Sequence, residues 1–188
     1  MNLPNKLTLL RVILVPFFLL FLLVDGIPFH GLWALIVFAV ASITDALDGH
    51  IARSRGLITD FGKFLDPVAD KVLVFAALIS FISLGLASPV AVVIMMAREF
   101  LVSSMRMVAA SKGKVIAAGK SGKVKTAVTM VSIVAILLLL AVADFGVMPG
   151  AFPMALVSNI LIWICGVLTI YSGVEYLVQN REVFTGSM

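Results

Sequence analysis

The chain has 188 residues, of which 62% are hydrophobic and 13% charged, with a formal net charge of +4 and a mean hydropathy of +1.17. Soluble domains carry about a quarter charged residues, so this balance excludes an ordinary soluble domain and points to a polytopic membrane protein. The lone cysteine, Cys165, excludes intrachain disulfides and any CxxC metal or redox centre, and it reads as a small packing residue.

Hydropathy predicts an all-α protein of six transmembrane helices over residues 7–24, 30–48, 66–86, 89–110, 123–143 and 153–177. No repeat, low-complexity tract or linker interrupts them, so residues 1–188 read as one domain. The start, NLPNKLTLLR, is mildly amphipathic, with Leu3, Leu7 and Leu10 against Asn5, Lys6 and Arg11. It suits either a helix lying in the headgroup layer or a simple extension of the first span. Lys6 and Arg11 precede the run VILVPFFLLFLLV, but bulky residues follow where a cleavage site needs small ones. An uncleaved first span is expected. The turns at 25–29, 87–88 and 144–152 contain Gly and Pro or small residues but no Lys or Arg. All 14 basic residues fall in or beside the opposite segments, 1–6, 49–65, 111–122 and 179–188. The positive-inside rule therefore expects both termini and these loops in the cytoplasm, as for a multi-pass protein of a bacterial plasma membrane. No nucleic-acid partner is expected.

Five of the ten acidic residues crowd into DALDGHIARSRGLITDFGKFLDPVAD, residues 45–70. Asp45 and Asp48 are three apart at the end of span 2, about 60° around a helix; Asp66 and Asp70 are four apart, about 40°. A solvated surface cluster accounts for Asp60, Arg55 and Lys63, but not for four carboxylates on apolar-flanked helical faces. An Asp inside a bilayer costs about 2.5–3.5 kcal/mol at mid-depth, and converging carboxylates repel one another. Arg53 offsets only one of them. One or two hard divalent cations, Mg²⁺, Mn²⁺ or Ca²⁺, answer the charge better, since no Cys or His cluster is present for zinc. His50 reads as a boundary residue. Gly49 and Gly62 suit either close approach of a ligand or tight helix packing.

The pattern Asp45-x-x-Asp48-Gly49-x-x-Ala52-Arg53, eight residues, then Gly62-x-x-x-Asp66-x-x-x-Asp70 resembles the signature of the CDP-alcohol phosphatidyltransferases at all eight fixed positions. The segments NLPNKLTLLRVILVPFF, LDPVADKVLV, AREFLVSSMR and GKVKT extend the resemblance over about residues 2–126, towards bacterial members that use glycerol 3-phosphate. The resemblance implies a polar active-site cavity open to the cytoplasm, where an alcohol attacks CDP-diacylglycerol and CMP leaves. It implies that Asp45, Asp48 and Asp66 hold Mg²⁺ or Mn²⁺, with Asp70 bridging or adjoining the metals as a fourth member of the set, and that Asp70 is also the general base. Gly49, Ala52, Arg53 and Gly62 would then shape the CDP-lipid pocket. A homodimer is implied in the same way.

The acceptor site is argued from the cations. Arg98 and Arg106 are eight apart, about 80° around a helix, and LVSSM between them is mostly apolar. Glu99 adjoins Arg98, whereas Arg106 has no acidic neighbour in sequence. Lys123 and Lys125 are about 200° apart, so one of the two faces the pocket. Arg106 with Lys123 or Lys125, and Arg98 beside them, are the candidates for the phosphate of glycerol 3-phosphate. Lys112, Lys114 and Lys120 read as orientation and lipid-surface charges. Competing readings are another acceptor, giving phosphatidylserine, phosphatidylinositol-phosphate or cardiolipin, and, in other classes, a cation transporter or a membrane scaffold. Neither of the last two explains the Gly-x-x-Ala-Arg spacing.

Overall fold

The computed structural model describes residues 3–55, 60–111, 113, 116, 119–149 and 152–181; within them, the side chains of 3–4, 46–55, 60–67 and 70 lie outside the described set. Six helices follow one another: α1 (Leu3–Leu23), α2 (His30–Arg55), α3 (Asp60–Ser83), α4 (Pro89–Ser111), α5 (Lys120–Asp144) and α6 (Met154–Gln179). No strand occurs among the described residues. Among the described residues, three helices are long and apolar enough to cross a membrane: Asn5–Leu23 of α1, α5 and α6.

The helices outrun the predicted spans at their polar ends. α2 continues past residue 48 to Arg55, and α3 begins at Asp60 rather than 66, so most of the expected 49–65 loop is helical. Hydropathy marks where apolar residues end, whereas backbone hydrogen bonding carries a helix onward through polar ones. The eight signature residues therefore all ride on helical backbone. α1 is likewise one continuous helix from Leu3 to Leu23, with no break between its polar start and its apolar run. Pro16 lies inside it and removes one backbone donor, a loss that membrane helices tolerate.

The chain divides into two compact units. The first comprises residues 1–83 with 133–152 and holds α1, α2, α3 and the second half of α5. α1 packs against both α2 and α3. Its core alternates large and small residues: Phe18 meets Phe38 with ring centroids 5.9 Å apart, while Ala34 and Ala41 are fully buried beside them in sequence on α2. Gly26 closes the turn after α1 at φ +86°, a conformation that side chains disfavour. Phe29 also has positive φ, 55°, and its ring packs 5.1 Å from Phe145.

The start of α2 is tied to the end of α5. Asp144 Oδ2 accepts from the backbone N–H groups of Gly31 at 2.7 Å and Leu32 at 3.3 Å, and His30 Nε2 lies 3.2 Å from Asp144 Oδ1. The carboxylate thus serves as a cap supplied from another helix, satisfying donors that a helix start leaves open. Gly31 permits this approach, because a Cβ there would stand 2.8 Å from the backbone of Leu140 and Ala141. Gly31→Ala is expected to cost about 1–3 kcal/mol through overpacking, read as a lower midpoint of thermal denaturation in detergent. An unchanged midpoint would show that the two helices separate freely.

The second unit comprises residues 84–132 with 153–188. Here α4 packs on α6. α4 buries Ala91, Val92, Met95, Val102, Met105 and Ala109, and α6 answers with small or hydroxyl residues such as Ser158, Gly166, Thr169, Ser172 and Gly173. Small residues let membrane helices approach closely where lipid supplies no hydrophobic drive. Cys165 is fully buried, and its thiol donates to Ser132 Oγ at 3.3 Å, as its reading as a packing residue requires.

Candidate active site

Of the four signature aspartates, Asp45 is the one whose side chain is described. It sits on α2, where Arg11 of α1 meets it with Nη1 2.6 Å from Oδ1. The Arg11 side chain is 1% exposed and that of Asp45 47%. Asn5 and Thr8, at spacings of three before Arg11, are also buried. One face of α1 is therefore polar and turned inward, opposite to the expectation for a helix resting in headgroups. Burying a guanidinium on a membrane helix is costly without a partner, and Asp45 is one partner among the described residues. Sequence reading missed Arg11 as a site residue. The signal was present: three polar residues at spacing three on an otherwise apolar helix.

Asp48, Gly49, Ala52 and Arg53 follow on α2, and Gly62, Asp66 and Asp70 lie on α3. Their side chains fall outside the described residues, as does the environment of His50. Both helices run without a break through these positions, so the spacings of three and four are spacings along helical backbone. At most residues 56–59 separate the two helices along the chain. By residue type, carboxylates without a thiolate suit a hard divalent ion, and Asp45, the described member, is half exposed.

The cations of the acceptor reading lie in the second unit. Arg98 Nη1 donates to Glu99 Oε1 at 2.8 Å, and Lys125 Nζ donates to the same oxygen. The side chains of Arg98 and Lys125 are 12% and 9% exposed. Two cations thus share one carboxylate, leaving one positive charge in excess within a largely buried cluster. Arg98 Nε is buried with no hydrogen-bond partner among the described residues. Gly173 makes room for this side chain; a Cβ there would stand 3.0 Å from Arg98 Cγ.

Lys125 is the buried one of the alternative pair, and Lys123 is exposed. The predicted 200° between them is what separates them, since Lys125 faces Glu99 across the packing of α5. Arg106 is exposed, and its guanidinium carbon lies 5.5 Å from the centroid of the Tyr176 ring, a cation–π contact. It has no carboxylate partner among the described residues. Lys120 is exposed, in keeping with a surface charge. Glu99 is a second residue that sequence reading undervalued, as it was assigned to Arg98 alone.

The sequence model of the CDP-alcohol phosphatidyltransferase family matches residues 1–171. The chain is 40% identical over 197 residues to the CDP-diacylglycerol–glycerol-3-phosphate 3-phosphatidyltransferase of Bacillus subtilis, covering 99% of this chain and 98% of that one. It is 39% identical over 188 residues to the protein of the same name from Shigella flexneri, with 96% and 95% covered. Against the one from Rickettsia felis the identity is 34% over 183 residues, with 97% of each chain covered.

Proposed function

Because the chain belongs to the CDP-alcohol phosphatidyltransferase family, we propose that it transfers the phosphatidyl group of CDP-diacylglycerol to glycerol 3-phosphate, giving phosphatidylglycerophosphate and CMP. The observation that carries this reading is likeness along nearly the whole chain to relatives bearing that name, with all eight signature residues in place. The enzyme is a membrane protein. Its exposed surface supports this: α1 presents Ile13, Phe17 and Leu20, and α6 presents Leu156, Ile160 and Val167. Such apolar faces are stable against lipid, not water.

The reaction is a single displacement. The primary hydroxyl oxygen of the acceptor forms a bond to the phosphorus that bears diacylglycerol. The bond from that phosphorus to the bridging oxygen breaks, and the oxygen leaves with its electron pair as part of CMP. Asp70 takes the hydroxyl proton. Asp45, Asp48 and Asp66 would hold Mg²⁺ or Mn²⁺, whose charge offsets that of the pyrophosphate and the departing CMP. Asp70 has to be the least tightly engaged of the four, since a neighbouring cation weakens a carboxylate as a base. Gly49, Ala52, Arg53 and Gly62 border the nucleotide. Arg98 and Lys125 hold the acceptor phosphate, supported by their excess positive charge. Arg106 adds an exposed cation outside that paired set.

The test is CMP release from CDP-diacylglycerol by purified protein with a panel of acceptors. Glycerol 3-phosphate should support release, whereas serine, inositol and glycerol, which lack the phosphate, should be poor. Equal use of serine would remove the acceptor assignment and leave the family. Absence of release with every acceptor would favour a transporter.

Six spans with cytoplasmic termini and a cytoplasmic site complete the reading, supported by the one-sided distribution of Lys and Arg. A homodimer is part of the reading through the family resemblance alone. Single cysteines replacing Pro28 or Met148 should label only from outside, and those replacing Leu57 or Gly186 only from inside. Cys165 is buried and should stay silent. External labelling at position 57 would invert the orientation.

A further inference from the structure

Arg11 has no part in the signature, yet it is the most deeply buried charge given for the first unit, and it meets the first signature aspartate. The contact is short, Nη1 to Oδ1 at 2.6 Å, and it comes from a different helix. The guanidinium is enclosed while the carboxylate keeps 47% exposure, so Arg11 grips Asp45 from the protein side and leaves part of it reachable. The grip itself is rigid. Arg11 lies about 12 Å into α1, within a helix that packs on both α2 and α3. Nη1 makes no aligned hydrogen bond, so the hold on Asp45 is one of close opposite charge, kept in place by the enclosed stem. Such a partner sets a carboxylate's rotamer, and carboxylates that ligate metals depend on partners of this kind for aim.

We propose that Arg11 is a positioning residue for Asp45, holding one carboxylate oxygen so that the other is aimed at the metal site. This rests on the reading of Asp45 as a metal ligand. Arg11 touches neither substrate nor metal; it acts through Asp45. It also gives α1 a share in the active site, although every signature residue lies on α2 and α3.

The experiment is Mn²⁺ binding to the purified full-length protein in detergent, without substrates, for wild type, Arg11→Met, Arg11→Lys and Asp45→Asn. Methionine matches the arginine stem in length and suits a membrane helix. Arg11→Met should weaken Mn²⁺ binding by about 10- to 100-fold, and Arg11→Lys by less, since it returns the charge but not the same stem. In turnover assays at saturating Mn²⁺, kcat should fall while KM for glycerol 3-phosphate stays unchanged. A purely structural ion pair would lower the denaturation midpoint and leave the Mn²⁺ affinity of the folded protein alone. If Asp45→Asn weakens Mn²⁺ binding while both folded Arg11 variants bind like wild type, the positioning role is overturned and the ligand reading stands. If Asp45→Asn binds like wild type, the ligand reading is overturned and this inference with it. Should Arg11→Met not fold, Arg11→Lys decides: severalfold weaker binding supports the role, and wild-type binding overturns it.

Discussion

Asp70→Asn is expected to stop turnover while the protein still binds CDP-diacylglycerol and Mn²⁺. The asparagine amide has nearly the size of the carboxylate but cannot take a proton from the acceptor hydroxyl. Losing a general base costs about 10²- to 10⁴-fold, and losing its charge next to the metals adds to that. Asp45, Asp48 and Asp66 remain to hold the donor's cation, so binding survives. Asp48→Asn should behave differently, weakening metal binding and turnover together because it removes a ligand charge. Chelators should abolish activity in the wild type, and Mg²⁺ or Mn²⁺ should restore it. The measurements are CMP release at saturating acceptor and donor binding for each variant. Near-normal turnover by Asp70→Asn would assign the base elsewhere.

The second large effect is expected at Lys125. Lys125→Ala and Arg98→Ala should each lower kcat/KM for glycerol 3-phosphate by roughly ten- to a hundredfold, from loss of a charge-assisted contact of about 1.5–3 kcal/mol. The KM for CDP-diacylglycerol should hardly move. Folding should survive in either variant, because Glu99 keeps one cation when the other is removed. Arg106→Ala is the internal comparison. Its guanidinium is exposed, and exposed ion pairs are worth about 0–1 kcal/mol, so its effect should stay below roughly tenfold. Lys123→Ala should be smaller still. If Arg106→Ala proves the most damaging, the phosphate sits on the Tyr176 side of α4, away from the Glu99 cluster.

The helices were legible in the sequence to within a few residues at their apolar ends, and much less so at their polar ends. Turns such as 25–29 are announced by Gly26 and Pro28, and the φ of +86° at Gly26 shows why glycine is needed there. The unexpected length of α2 and α3 has a simple cause: residues 49–55 and 60–65 are polar and therefore read as loop, although they are helical. Helical geometry separates Lys123 from Lys125, and Glu99 accounts for which of the two is buried.

What the sequence by itself determined is whatever depends on neighbours along the chain. The membrane class follows from composition, the helices from runs of apolar residues, and the carboxylate pairs from spacings of three and four on a helix. The family follows from eight residues at set intervals. What only the tertiary structure decided is which distant groups meet: Arg11 with Asp45, Lys125 with the glutamate already beside Arg98, and Asp144 with the first N–H groups of α2. The last two contacts join residues 26 and 113 positions apart. A buried charge must find a partner, and sequence can state that requirement; the identity of the partner depends on which helix faces pack together, which no local pattern encodes.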